Sequence, residues 1–521
     1  MKIFVIFILL LASSVLSAFD LLDEDTLFSE TEPYFETEEY QSDQSMPEKD
    51  WHSTFESFNR FNDKNDTYKI INKIGTQFNN FDAKFLYVGE NINPKSQFGG
   101  NITYQKVPEN RLIIGQFQIQ HAYGLLISKS SFITPKPGFN TNYNHNRTIL
   151  SNSTKPFMSN SFFGVAYQKK ILENLTLFTF SSYKKTGISS NGKLNLFETD
   201  PNEKTNLSFS GLLLNLNLTD LHISGNINYT QISSVSPITA STAISYQFYN
   251  LLTFSESAIS NSKLANVSGV KYQYQNFVQM LTFRHIQPDY HADFSNYLRN
   301  FGSGENEQGL FYKIVYNNKK ISIQTFADIF SNIENHERYN DKNHGVTWGV
   351  QLDKYSLLNM DDMSISASYR EKQDKEWRNF VGKTRLENRI RQYYRLAWQQ
   401  IDNNNLTTKI TYDFQVKQYP EFQMRSEGYI ISSNITLKIK KSKFNLILGT
   451  YECMMPVYLY LYSGKLNNPV YILNGEGNFA MLHLTTQLLK NCQLELMGNI
   501  IKKEKVEHGA SMRLYIPLSY K

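Results

Sequence analysis

Apolar and polar residues alternate with a period of two along most of this chain. In "DMSISASYRE", residues 362–371, Met363, Ile365, Ala367 and Tyr369 share one face of a strand, and Ser364, Ser366, Ser368 and Arg370 the other. "LHISGNINYTQ" sets Leu221, Ile223, Gly225, Ile227 and Tyr229 against His222, Ser224, Asn226, Asn228 and Thr230. "KITYDFQVK", "NITLKIKK" and "QLELMGNII" repeat the pattern, beginning at Lys409, Asn434 and Gln493. Such runs last about 9–12 residues, the length a tilted strand needs to cross a bilayer. They recur about every 20–25 residues, and helical periodicity is weak throughout. Short polar connections such as Asn317–Lys320 and Asn403–Asn405 alternate with longer ones.

The two faces say which environment each meets. A soluble sandwich turns its larger apolar side chains inward and charge outward. Here the polar faces are rich in Ser, Thr, Asn and Gln. The apolar faces mix Ile and Leu with Gly, Ala and Tyr, with Tyr near strand ends (Tyr229, Tyr369, Tyr412, Tyr520). Tyr at the ends suits an interfacial girdle. The pattern predicts an all-β fold: a large antiparallel transmembrane β-barrel of roughly 20 strands, with a short disordered acidic N-terminal tail. The last strand, "SMRLYIPLSYK", alternates like the terminal strand of an outer-membrane barrel, although it ends on Lys521 and contains Pro517, which is tolerable only at an edge or strand end.

Charge refines this picture. "MKIFVIFILLLASSVLSAFD" has Lys2, an apolar run and then small residues, so residues 1–18 read as a cleaved secretory signal. Residues 19–60 read as an acidic periplasmic tail, with twelve acids between Asp20 and Asp50, and residues 61–521 as the barrel. From Trp51 onward 51 basic residues face 36 acidic ones, a net +15. Opposite charges allow the tail to dock into the barrel, and a basic lumen favours anions. The irregular stretch 121–158 is a second candidate for blocking the lumen. The two cysteines, Cys453 and Cys492, can pair only if their strands are neighbours in matching register.

Three stretches carry a family resemblance. "RLIIGQFQIQHAYGLLISK" matches a glycine–aspartate–aromatic strand leading into a phenylalanine-glycine-x-glycine-leucine turn through Gly115, Phe117, Gly124 and Leu125. Gln116 stands for the aspartate, His121 for the phenylalanine and Ala122 for the first turn glycine. "RHIQPDYHADFSNYLRNFGSGENEQGLF" matches through Pro288, Tyr290, His291, Asn306, Glu307 and Gly309, and "TYECMMPVYLYLYSGK" through Tyr451, Glu452, Tyr462 and Gly464. The chain thereby resembles a family of bacterial outer-membrane barrels that usually carry an N-terminal helix-hairpin-helix domain. That domain is absent from the acidic 19–60 stretch, so a nucleic-acid partner is not expected. The resemblance implies an outer-membrane barrel and brings no catalytic residues.

Other constellations are weak. Asp289, His291 and Asp293 alternate in a way that could hold a divalent cation, but a polar loop is the simpler reading, so no metal or cofactor is expected. His336 with Glu337 and Asp341 with His344 are weaker still. His222 and Ser224 share a face, and no hydrolase, P-loop or zinc-protease motif accompanies them, so the chain is not read as an enzyme. Residues 369–395 read as a charged loop leading into a strand. The expected function is a porin-like outer-membrane barrel passing solutes through a basic lumen. Its partners are outer-membrane lipid, lipopolysaccharide and the barrel-assembly machinery. The alternatives are a sealed barrel that displays loops such as 287–307 and 330–346 for adhesion or assembly, or a soluble secreted β protein.

Overall fold

The structure is a computed structural model. It describes residues 51–62, 67–90, 97–107, 109–128, 138–139, 141, 148–153, 162–188, 194–195, 204–232, 238–292, 294–295, 299–300, 306–335, 342–354, 363–380, 383–402, 405–454, 459–462, 470–473, 475–489, 492–502 and 506–520. The signal and acidic tail up to residue 50 lie outside the described residues.

Strands dominate. In chain order they are β1 (Trp51–Asn62), β2 (Thr67–Phe78), β3 (Phe81–Glu90), β4 (Gln97–Val107), β5 (Asn110–Gln120), β6 (Ile149–Asn152), β7 (Phe162–Leu172), β8 (Leu175–Ile188) and β9 (Leu194–Asn195). Next come β10 (Lys204–Asn217), β11 (Leu221–Ile232), β12 (Ile238–Phe248), β13 (Leu251–Ser260), β14 (Lys263–Tyr274), β15 (Phe277–Ile286), β16 (Glu307–Asn317), β17 (Ile321–Ser331) and β18 (His344–Lys354). The rest are β19 (Met363–Phe380), β20 (Lys383–Asp402), β21 (Leu406–Tyr419), β22 (Met424–Ile439), β23 (Ser442–Cys453), β24 (Leu459–Tyr462), β25 (Val470–Leu473), β26 (Glu476–Leu489), β27 (Cys492–Lys502) and β28 (Val506–Tyr520). Among the described residues no helix is long and apolar enough to cross a membrane.

Leaving aside the short β6, β9, β24 and β25, the other 24 strands form one antiparallel ring. Each pairs with the next, β5 passing directly to β7, β8 to β10 and β23 to β26. β28 returns to β1 over the full strand, from Trp51↔Tyr520 to Asn62↔Gly509, and closes the ring. The sheet therefore has no free edge to template aggregation. Pro517 lies opposite Thr54, beyond the point where β27 begins at Gln493↔Tyr515, so its missing N–H falls where the neighbouring strand has ended.

The expectation of roughly 20 strands undercounts the wall by four. One reason is β1, which begins at Trp51 within the stretch assigned to the tail. Phe55, Phe58 and Phe61 recur every third residue there, so alternation does not reveal it. Another is 369–395, expected as a loop before a strand: it is a hairpin of the two longest strands, β19 (18 residues) and β20 (20 residues).

The two rims differ. On one, connections are as short as two residues, as at 79–80, 249–250, 275–276 and 440–441, and both Trp51 and Tyr520 lie there. Asn79, Tyr249, Gln275 and Lys440 take left-handed φ near 50° to make these turns. The other rim carries the long connections 121–161, 287–306, 332–343 and 454–475. Cys453 ends β23 at the long-loop rim and Cys492 begins β27 at the short-turn rim. The two are a strand length apart and cannot bridge.

Polarity is inverted relative to a soluble protein. On β11, Ile223, Ile227 and Tyr229 face outward and are exposed, while Ser224, Asn226, Asn228 and Thr230 face inward and are buried. On β18, Trp348, Val350 and Leu352 point out and Thr347 points in. Outward aromatics crowd the short-turn rim: Phe78, Phe81, Tyr104, Tyr246, Phe248, Tyr249, Tyr272, Tyr274 and Tyr316 are all exposed. A second aromatic row crosses the wall nearer the long-loop rim. Trp348 meets Tyr369 at 5.0 Å, Tyr369 meets Tyr394 at 4.8 Å, and Tyr412 meets Tyr429 at 5.7 Å between ring centroids.

Tyr369 marks a change on β19. Below it the outward face carries Met363, Ile365 and Ala367; above it come Glu371 and Gln373. The Tyr369 hydroxyl donates to Glu371 at 2.6 Å and the Trp348 indole N–H reaches the same carboxylate at 3.4 Å. An apolar band thus lies between two aromatic rows and turns polar beyond the upper one.

Closure makes a direct prediction. With Cys453 and Cys492 replaced by serine, cysteines introduced at Ser53 and Leu518, opposite each other across the β1–β28 seam, form a disulfide on mild oxidation. A shifted band on non-reducing gels reports it, and its absence would contradict the ring.

Candidate functional site

The long connection after β5 folds back over the inner face of the wall instead of projecting from the rim. Residues 121–128 form a compact turn: Gly124 N–H donates to the His121 carbonyl at 3.0 Å and His121 N–H to the Ile127 carbonyl at 3.1 Å. Gly124 adopts φ +86, which favours glycine. Ala122 adopts φ +46 at the position where the resembled family has glycine, a strained choice for a residue with a Cβ.

The wall holds this segment through polar and apolar contacts. The His121 imidazole bridges two inward hydroxyls, Ser224 on β11 through Nε2 at 3.1 Å and Ser241 on β12 through Nδ1 at 3.0 Å. Complete burial pushes this imidazole down to about 3, so it is neutral at physiological pH. Glu256 on β13 accepts the backbone N–H groups of Tyr123 at 2.8 Å and Leu125 at 3.5 Å. Around them Leu125, Leu126 and Ile127 pack into an aromatic cluster on the inner wall. Phe162 lies at its centre, 5.0 Å from Phe209, 4.9 Å from Phe294 and 5.7 Å from Phe117.

Further along, the same connection meets other parts of the wall. Phe139 packs edge-on against Phe326 at 4.9 Å, and Lys313 Nζ donates to the carbonyls of Phe139 and Thr141. Asn152 Nδ2 donates to Asp82 at 2.8 Å on β3, and Asn101 Nδ2 donates to the Ser153 carbonyl at 2.8 Å on β4. The described parts of 121–153 therefore touch the inner wall from β3 to β17.

A buried ionic cluster anchors the next long connection. Arg284 on β15 donates through Nε to Glu307 at 2.6 Å, and through Nη1 and Nη2 to Asp328 on β17 at 2.7 and 2.9 Å. All three side chains are fully buried. Asn300 completes the cluster, its backbone N–H on Glu307 at 2.9 Å and its amide on Asp328. This geometry satisfies the bidentate guanidinium–carboxylate preference that a buried ion pair requires. Gly309 makes the space: a Cβ there would lie 2.3 Å from Arg284 Nη2.

The matched family positions now acquire physical roles. Gly115 adopts φ +105 where a Cβ would lie 2.3 Å from the Gly100 carbonyl. Pro288 and Asp289 (φ 59) form the centre of a turn closed by Tyr290 N–H on the Gln287 carbonyl at 3.2 Å. The buried Tyr290 hydroxyl donates to the Leu125 carbonyl at 2.8 Å, joining the first and second stretches. The His291 carbonyl accepts from Ser260. Asn306 (φ 57) accepts the backbone N–H groups of Ile333 and Glu334, each at 2.8 Å, and so ties two connections together. The third stretch stays apart. Tyr451 is buried with Leu473 and Phe479, Glu452 lies opposite Tyr429 and Glu476 in the ladder, and Tyr462 belongs to the β24–β25 hairpin. Gly464 lies outside the described residues.

The remaining candidates scatter. Asp289 pairs with Lys263 at 3.8 Å at the surface, and Asp293 lies outside the described residues. Among the described residues no three metal-ligating side chains cluster. His222 bonds Asn217 at 2.8 Å, while Ser224 is taken by His121. Of 287–307, expected as a displayed loop, Tyr290, Phe294 and Asn300 are buried against the wall. Arg284, Asp328 and Glu256 were not singled out from sequence. Their signal was a charge set among apolar residues in mid-strand: Glu256 shares its face with Leu252, Phe254 and Ala258, and Arg284 with Val278, Met280 and Ile286.

No protein-family model and no curated protein matches the chain. Among solved structures it is similar to the siderophore receptor PirA of Pseudomonas aeruginosa, at 7% identity over 91% of this chain and 82% of that one, with a TM-score of 0.45. A mutant ferric enterobactin receptor, PfeA, of the same organism gives 7%, 91%, 81% and 0.47. OccAB3 of Acinetobacter baumannii gives 10%, 91%, 100% and 0.33. These TM-scores all lie under 0.5.

Replacing Arg284 by methionine leaves the Glu307 and Asp328 carboxylates buried without their cation. Losing one partner of a buried pair costs about 3–5 kcal/mol. The variant should unfold at a lower denaturant concentration than wild type, and trypsin should cleave the 287–306 connection at Arg299 within a fold that otherwise persists.

Proposed function

We propose that this chain is an integral β-barrel of the bacterial outer membrane that passes small solutes and performs no catalysis. One observation carries the reading: a closed wall whose outward face is an apolar band between two aromatic rows, and whose inward face carries polar and charged side chains beside an aromatic cluster that seats the infolded segment. Such a wall suits lipid outside and water inside. The family resemblance of the sequence agrees with it.

In this reading the short-turn rim faces the periplasm and the long connections face out, next to lipopolysaccharide. The signal delivers the chain to the barrel-assembly machinery, and the acidic tail begins at the periplasmic rim. The β19–β20 hairpin is longer than the 9–11 residues or so that a spanning strand needs, so its tip stands clear of the bilayer. The 121–153 connection narrows the lumen, as befits a ring larger than the porins that leave an open channel.

The lumen favours anions. On the inner face of β19–β21, Asp374 is shared by Lys372 at 3.4 Å, Arg389 at 2.9 Å and Arg391 at 3.1 Å, and Lys417 reaches Glu376 at 3.5 Å. Basic side chains outnumber acidic ones in this patch, and the chain from Trp51 onward is net positive.

Two measurements test the reading. Ile227 is 57% exposed in mid-strand. Arginine there should destabilise the barrel in lipid by about 2–4 kcal/mol, the cost at the bilayer midplane. In a soluble protein the same surface change would stay within about 0.5 kcal/mol, which would remove the membrane assignment. In planar bilayers under a salt gradient, the reversal potential should show anion preference; cation preference would sink the basic-lumen assignment.

A further inference from the structure

Beneath the infolded segment lies a strip of wall without charge. On β11 the inward residues are Ser224, Asn226, Asn228 and Thr230, and on β12 they include Ser241, Ala243 and Ser245. Asn226 stands opposite Ser241, and Ser224 opposite Ala243. These side chains are almost wholly buried, Asn226 to 2% and Asn228 and Ser245 to 1% exposure. Yet both amide atoms of Asn226, both of Asn228 and the Ser245 hydroxyl have no hydrogen-bond partner among the described residues. Buried amides are nearly always satisfied, so a run of them left unmet needs an explanation.

Neighbouring residues explain how the amides fit there. Gly211 on β10 lacks the side chain that would collide with Asn228: a Cβ would lie 2.3 Å from Asn228 Oδ1. Ala243 keeps β12 low beside Ser224. The segment 121–128 meets the strip on both sides of Asn226, with His121 occupying the hydroxyls of Ser224 and Ser241, and Leu125 is held by Tyr290. Its grip on the strip is a single neutral side chain.

We propose that the β11–β12 strip is a binding track for uncharged, hydroxyl-bearing solutes of the polyol and sugar class, covered here by segment 121–128 and uncovered when that segment leaves the wall. A carboxamide offers a donor and an acceptor side by side, which suits adjacent hydroxyls. The strip carries no charge of its own and a single carboxylate, Glu256, borders it opposite Ala243, which suits a neutral hydroxyl-bearing ligand and disfavours anions, whereas the basic patch on β19–β21 suits anions. The proposal rests on the solute-passage reading and names one class of solute for it.

The test is equilibrium dialysis of labelled maltose against purified, folded barrel in detergent, with swelling of liposomes in the same sugar measured in parallel. His121→Ala should bind maltose at least tenfold more tightly than wild type. Adding Asn226→Leu and Asn228→Leu should return binding to the wild-type level, while gluconate binding stays unchanged throughout. Tyr290→Phe, which removes the hydroxyl's hold on the Leu125 carbonyl without touching the strip, should give a smaller gain in the same direction and serves if His121→Ala does not fold. No maltose binding by the uncovered variants, or binding indifferent to the leucine pair, overturns the track. Strip-dependent binding without any swelling overturns solute passage and leaves the track standing.

Discussion

Every feature of this molecule depends on closing the backbone ladder. A strand whose N–H and C=O groups meet hydrocarbon has no water to bond, so each edge must find a partner. The β1–β28 seam supplies the last one, and it does so between segments that are among the least regular in sequence. β1 has its phenylalanines spaced by three, and β28 carries a proline. β28 alternates on either side of that proline, whereas β1 does not stand out by alternation. Their pairing follows from being the two strands left over once all the others have neighbours.

Closure then fixes the chemistry of the two faces. With no edge available, side chains can only point out or in. Outward positions tolerate large apolar residues because nothing but lipid meets them in the proposed setting. Inward positions face a different constraint: any charge there must be paired or solvated. The wall answers with shared ion pairs. Arg284 on β15 is gripped by Glu307 on β16 and Asp328 on β17, so three consecutive strands are tied by one guanidinium. Asp374 does the converse, drawing cations from β19 and β20.

Period two made the fold readable, since "DMSISASYRE" already contains the switch at Tyr369 from apolar to polar surface. What alternation could not show is the third dimension. Leu125 and Tyr290 are 165 positions apart, and Arg284 and Asp328 are 44 apart. Nothing local to either sequence marks them as partners. The family stretches identified glycines and a glutamate that matter, yet their reasons are spatial: Gly309 leaves room for Arg284, and Gly115 lets its strand approach Gly100. Buried charges such as Glu256 were visible only as a single acid among apolar neighbours, Leu252, Phe254 and Ala258, with nothing local to name the backbone groups it accepts. The loop reading of 369–395 failed because charge density on that hairpin resembles a solvated loop, whereas its inward half is paired across strands.

The same spatial links couple the two long connections. Asn300 bonds the carboxylates that hold Arg284, Tyr290 precedes it on the same connection, and the Tyr290 hydroxyl holds Leu125 of the infolded segment. Asn306 extends the chain of contacts to Ile333 and Glu334. Segment 121–128 is therefore not secured by the inner wall alone. Its position is conditional on the 287–306 connection staying down, and that connection is pinned by a guanidinium with no solvent access. Two hydrogen bonds join the connection to the segment, Tyr290 hydroxyl to the Leu125 carbonyl and Ser128 N–H to the Phe294 carbonyl. Those two hydrogen bonds and the shared aromatic cluster, in which Phe294 packs against Phe162 and Phe209, make the two connections one packed unit on the inner wall.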